Sequence, residues 1–193
     1  LASGVSNNIN YNFSISRNSV DQPIYPRQGS EVTVSTQLTL PYSLFNNKDY
    51  STMSTSEKYK WLEYYKVNVK AAWYFNVLDD LVVSTRARFG FLGQYNSKVG
   101  YSPFERFYLG GDGLTGYSLD GRELVSLRGY DNNCLNPDKG ATVFDKYTLE
   151  LRYPITLNPM ASVYALGFFE GGNSWANFRS FEPFKMYRSA GIG

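Results

Sequence analysis

Apolar and polar residues alternate with period two along five stretches of the chain, the pattern of strands whose two faces meet different surroundings. Ile9, Tyr11, Phe13 and Ile15 alternate with Asn10, Asn12, Ser14 and Ser16. Val32, Val34, Leu38 and Leu40 alternate with Glu31, Thr33, Ser35, Gln37 and Thr39. Val67, Val69, Ala71, Trp73 and Phe75 are set against Lys66, Asn68, Lys70 and Tyr74, and Val83, Ala87, Phe89 and Phe91 against Ser84, Arg86, Arg88 and Gly90. Tyr147, Leu149, Leu151 and Tyr153 alternate with Lys146, Thr148, Glu150 and Arg152. Two further strands are predicted near 161–171 and from 185 onward, which makes about seven strands of roughly 9–12 residues, the length a tilted strand needs to cross a bilayer.

The connections alternate in length as well. Leu78-Asp79-Asp80 and Pro154–Met160 read as tight turns, 18–29 as intermediate, and 42–58, 94–145 and 172–184 as long. Short turns on one rim and long loops on the other are the habit of outer-membrane barrels. Alternation alone does not separate a barrel, whose apolar face meets lipid, from a soluble sandwich, whose apolar face is the core. It does fix register in the barrel reading. Slipping the strand around Lys66 and Lys70 by one residue puts both lysines into lipid, at about 2–4 kcal/mol each near the midplane.

Composition narrows the classes. No run approaches the roughly 18–20 apolar residues of a membrane helix, while the 17 Tyr, 13 Phe and 3 Trp suit the aromatic girdles of a barrel. A net charge of +2 without a Lys/Arg run gives no reason to expect nucleic acid. There is no histidine, so a Ser-His-Asp triad, a Cys-His pair or a His-ligated metal site cannot be built within this chain. Cys134 is the single cysteine and can be free or paired between chains; it carries no assigned role. Gly111-Asp112-Gly113-Leu114-Thr115-Gly116 matches G-x-G-x-x-G, but the turn-like Tyr117–Gly121 follows where a nucleotide fold needs a helix. Glu150 and Glu170 can be read as a glycosidase pair, yet the basic Arg128 and Arg152 point to charge compensation instead. No signal peptide opens the sequence, and Arg188–Gly193 stops in what reads as a strand, so both ends read as cut.

Several segments, in order, resemble one family. Phe107-Tyr108-Leu109-Gly110-Gly111 and Leu127-Arg128-Gly129-Tyr130 are similar to the F-Y-x-G-G entrance and the V-R-G-F tip of the long extracellular loop in BamA-like barrels. Tyr25–Ser30 resembles the family's F-P-x-D-G-S turn, with Gln28 in place of the acid. Leu149–Pro154, Phe168–Trp175 and Arg188–Gly193 resemble successive strands after the loop. In this chain Asp112–Leu127 intervene between the glycine pair and the R-G tip, where known members have only a few residues.

The resemblance implies an all-β fold, part of an antiparallel transmembrane β-barrel, with about seven of roughly sixteen strands over residues 5–193. It implies that loop 94–145 folds back into the lumen, with Arg128 on carboxylates of the inner wall and Glu150 and Glu170 as its partners. Glu150 shares the polar parity of its strand; the inward orientation of Glu170 rests on the resemblance. The implied function is that of an outer-membrane assembly factor, which folds and inserts β-barrel proteins without ATP, catalysis or cofactor. Its implied partners are unfolded outer-membrane proteins, accessory lipoproteins and outer-membrane lipid. A TamA-like or two-partner secretion transporter, a passive porin-type channel and a soluble β-sandwich binding module are the alternatives.

Overall fold

The computed structural model describes residues 5–113, 122–158 and 161–193. Seven strands form one antiparallel sheet in the order β1 (Asn10–Asn18), β2 (Gly29–Thr39), β3 (Tyr65–Leu78), β4 (Leu81–Gly93), β7 (Val143–Asn158), β8 (Ala161–Trp175) and β9 (Tyr187–Ile192). Two short strands, β5 (Phe107–Leu109) and β6 (Glu123–Val125), pair in parallel within the connection from β4 to β7. Every strand of the large sheet pairs with the one before it in chain order once that connection is set aside.

Register settles what each face carries. The rows Glu31↔Ala72↔Arg86↔Thr148↔Glu170 and Thr33↔Lys70↔Arg88↔Lys146↔Gly172 share one face. The rows Val34↔Val69↔Phe89 and Trp73↔Thr85↔Leu149↔Phe169 share the other. Along β7, Leu149 is 48% exposed and Leu151 47%, whereas Glu150 is 4% and Arg152 5%. Along β7 the apolar face is bare and the polar face is covered, the reverse of a soluble sandwich. A sheet of this polarity matches a barrel wall with lipid outside and a packed polar interior.

The connections sort as short and long on opposite rims. The short rim holds 19–28, Asp79-Asp80 and the link from Asn158 to Ala161. Arg27 bridges two of these turns through an ion pair to Asp80 at 2.6 Å. The long rim holds 40–64, which includes the one-turn helices α1 (Tyr42–Phe45) and α2 (Thr55–Lys58), then 94–142 and 176–186.

Two boundaries differ from the sequence reading. β7 continues through Pro154 to Asn158, with a register shift between Pro154 and Thr156 that takes up the missing N–H of the proline. The turn expected at Pro154–Met160 is therefore confined to the link after Asn158, and Pro159 and Met160 lie outside the described residues. The long loop ends at Thr142, because Val143 already pairs with Trp175 and Phe91. The sheet's apolar core sits inside, at the long rim, where the inner face of the strands itself turns apolar. Leu92 and Phe144 meet Phe107, Leu109, Val125 and Leu127 of the loop, together with Leu62 and Tyr64. That cluster welds the loop to the inner wall.

Candidate functional site

Below the apolar cluster the loop meets the charged part of the inner wall. Arg128 Nη2 lies 2.8 Å from Glu150 Oε1 and 2.8 Å from Glu170 Oε1, and the Arg128 backbone N–H donates to Glu170 Oε2 at 3.0 Å. Its guanidinium also stacks 3.6 Å above the centre of the Phe168 ring. One guanidinium nitrogen thereby joins carboxylates on neighbouring strands while the plane lies on an aromatic face, a stacking that a lysine ammonium does not reproduce.

Both carboxylates are shared with wall cations. Glu150 Oε2 takes two bonds from Arg152, at 2.6 and 3.0 Å, and lies 3.3 Å from Arg86. Glu170 Oε1 takes the Lys146 ammonium at 3.1 Å, and Thr148 donates to it at 3.3 Å. Lys146 in turn donates to the Ser126 carbonyl at 2.6 Å, which ties the loop down two residues before Arg128. Burial of the Arg128 guanidinium works against its charge, but the bonds to Glu170 and Glu150 outweigh it and hold its pKa above the ordinary arginine value.

The four tip residues divide the work. Leu127 is fully buried in the apolar cluster. Gly129 has φ +85, and its neighbour Tyr130 swings out to donate to the Arg188 carbonyl at 2.9 Å and to meet the Tyr187 ring edge-on. The loop entrance closes on the tip despite the residues between them. The Gly111 N–H donates to the Tyr130 carbonyl, and the Leu127 N–H to the Gly111 carbonyl, both at 3.0 Å. Gly110 and Gly111 both adopt positive φ, and a Cβ on Gly110 would stand 2.5 Å from the Asp131 carbonyl oxygen. Leu114–Gly121, which hold the second half of the G-x-G-x-x-G match, lie outside the described residues.

A second set of contacts, which the sequence reading did not single out, has the opposite polarity. Glu123 of β6 lies 3.1 Å from Lys66 and 3.4 Å from Arg88, and accepts from Asn68 at 3.1 Å. Glu105 reaches Lys66 at 3.5 Å, while the Lys66 ammonium sits 4.8 Å from the Phe107 ring centre. The signal was present in the row of like charges. Lys70, Arg88 and Lys146 stand directly opposite one another on the inner face, a placement that calls for an anion from elsewhere in the chain. A polar cavity of about 640 Å³ remains between loop and wall, lined by Glu31, Lys70, Arg86, Arg88 and the Arg128 cluster. The described residues contain no group of metal-binding side chains.

The Omp85 superfamily domain model matches residues 1–193, the whole chain. This chain belongs to the Omp85 superfamily. The Omp85 superfamily is one of outer-membrane protein insertion or transport. Among solved structures, BamA from Haemophilus ducreyi lacking POTRA domains 1–3 matches with a TM-score of 0.66 and 18% identity, over 95% of this chain. The chain spans 35% of that BamA chain, so the likeness establishes a BamA-like section of an Omp85 barrel. No curated protein sequence matches it.

Proposed function

We propose that this section of an Omp85 barrel serves an outer-membrane assembly factor that folds and inserts β-barrel proteins without ATP. Within it, residues 94–142 act as a lumenal loop, and Arg128 pins that loop to the wall. The observation that carries the reading is the shared guanidinium: one loop arginine bonded to Glu150 of β7 and Glu170 of β8. A loop tied to two adjacent strands stiffens that part of the wall, so that opening is left to strands elsewhere in the barrel, where a substrate strand can pair by β-augmentation. The partners are unfolded outer-membrane proteins, accessory lipoproteins and the surrounding lipid, and no cofactor or bond chemistry is involved. The loop packed across the inner face favours this reading over a passive channel, which needs an open lumen. A TamA-like or two-partner secretion transporter would share the pin and differ in what it moves.

The test uses the full-length protein, wild type and Arg128→Ala, reconstituted in lipid vesicles without ATP. Wild type accelerates folding of an added outer-membrane barrel protein, and the variant loses most of that acceleration together with thermal resistance of its unboiled gel band. Acceleration and band resistance unchanged by the mutation would remove Arg128 from the mechanism. A wild-type protein that forms the band but accelerates nothing would move the assignment to a transporter.

A further inference from the structure

The outward face carries a feature that neither the loop nor the assembly role uses. Between β4, β7 and β8 the wall dips where Ala87 and Gly171 stand among Trp73, Tyr147 and Phe169, leaving an apolar groove of about 450 Å³. That size falls within the roughly 300–1,000 Å³ of small-molecule sites. At its long-rim end lies Arg188, which faces Gly171 in register and therefore points outward. Arg188 forms no ion pair among the described residues, although it borders a lipid-facing surface where an unpaired cation is increasingly costly away from the interface. By register, the other outward cation on the strands is Arg17, opposite Val32 at the short rim.

The connection 176–186 frames the same corner. It folds over the outer face instead of inward: Phe181 packs on Phe89 and Trp175, Phe178 on Phe91, and Asn173 donates to the Lys185 carbonyl at 2.6 Å. Met186 then closes the groove beside Gly171, whose added Cβ would meet the sulfur at 3.4 Å. Lys185, 3.9 Å from Glu182, is largely exposed, and the Phe184 ring is 86% exposed. Exposed aromatics and cations side by side on the outer rim are the composition of a surface that sits at a membrane interface.

We infer that this corner binds one phosphorylated membrane lipid, with an acyl chain in the groove between Trp73 and Phe169 and the phosphate on the Arg188 guanidinium. The geometry matches each part of such a molecule. The groove offers only an apolar surface to a chain, and the planar fork at its end suits phosphate oxygens. The inference rests on the outer face meeting lipid and is independent of what the barrel assembles.

Native mass spectrometry of the full-length protein, released from micelles doped with dioleoylphosphatidylglycerol, tests it. Wild type retains one such lipid. Arg188→Gln lowers retention about tenfold, the loss of one charge-assisted contact. Ala87→Phe, which fills the groove and leaves the arginine in place, lowers it comparably, and Arg17→Gln leaves it unchanged. Retention by Arg188→Gln equal to wild type overturns the site. So does equal retention of dioleoylglycerol, which shows unselective lipid contact, or of glycerol phosphate, which shows an anion site with no chain. Each variant is first checked for the boiling-dependent gel shift of a closed barrel. If Arg188→Gln lacks it, Ala87→Phe decides alone, and if wild type lacks it the barrel assignment itself has failed.

Discussion

Arg128 illustrates how one side chain can join elements far apart in sequence. Its guanidinium answers two carboxylates that burial would otherwise leave costly, and those carboxylates also neutralise Lys146, Arg152 and Arg86. Removing it takes one hydrogen bond from each carboxylate but leaves Glu150 with Arg152 and Glu170 with Lys146, so Arg128→Ala lowers the stability of the closed barrel by about 1–3 kcal/mol, read from the temperature at which the unboiled gel band disappears. Arg128→Lys restores the charge without the fork or the stacking on Phe168, and recovers less than half of the loss. The pH dependence follows from the raised pKa of Arg128. A cation whose folded pKa lies above its unfolded value contributes fully at all pH below the unfolded value, and the contribution is lost only as pH rises through the folded one. Between about pH 7 and about pH 10 the band temperature of wild type therefore changes no more than that of Arg128→Ala, because the guanidinium stays charged throughout.

At the scale of elements, the long loop is held by two clamps of opposite sign. Arg128 carries a cation to wall acids, and Glu123 of β6 carries an acid to the wall cations Lys66 and Arg88. The Lys66 side chain is only 5% exposed, so Glu123→Gln leaves a buried ammonium with the more distant Glu105. The expected cost is about 1–3 kcal/mol, seen as roughly tenfold faster protease cutting within 94–142. Glu105→Gln costs less, because Glu123 still holds Lys66 at the shorter distance. The apolar cluster of Phe107, Leu109, Val125 and Leu127 positions both clamps, so neither charge has to find its partner from solvent.

At the scale of the whole molecule, the inverted wall sets what the two faces tolerate. Leu149→Arg places a cation on the bare apolar face and costs about 2–4 kcal/mol near the midplane. Thr33→Glu, on the inner face opposite Lys70 and beside the cavity, changes stability by no more than about 0.5 kcal/mol. Fluorescence-monitored urea unfolding of the full-length protein in vesicles separates the two. A soluble sandwich would give the opposite pattern, since its polar parity would already face water and its apolar parity a packed core.

Much of this was readable from residue order. The faces of β1–β4 and β7 follow from alternation, as does the inward parity of Glu150, because the pleat sends successive side chains to opposite sides by local geometry. The sorting of turns and loops onto two rims follows from the spacing of those strands. The pairing of Arg128 with Glu150 and Glu170 came from family resemblance, since nothing periodic connects residues so distant in the chain. Tertiary structure alone decided the rest. The register Thr148↔Glu170 turns Glu170 inward from a strand whose own pattern is ambiguous. The fold-back of β5 and β6 brings Glu123 to Lys66, and the closing of Gly111 on Leu127 and Tyr130 absorbs the residues between them. Two connections on the same rim then take opposite courses, 94–142 inward and 176–186 outward. Alternation carries no information about that choice: it records which side of a sheet a residue faces, while a loop's course depends on which surface, charged or apolar, its side chains find when the strands have assembled.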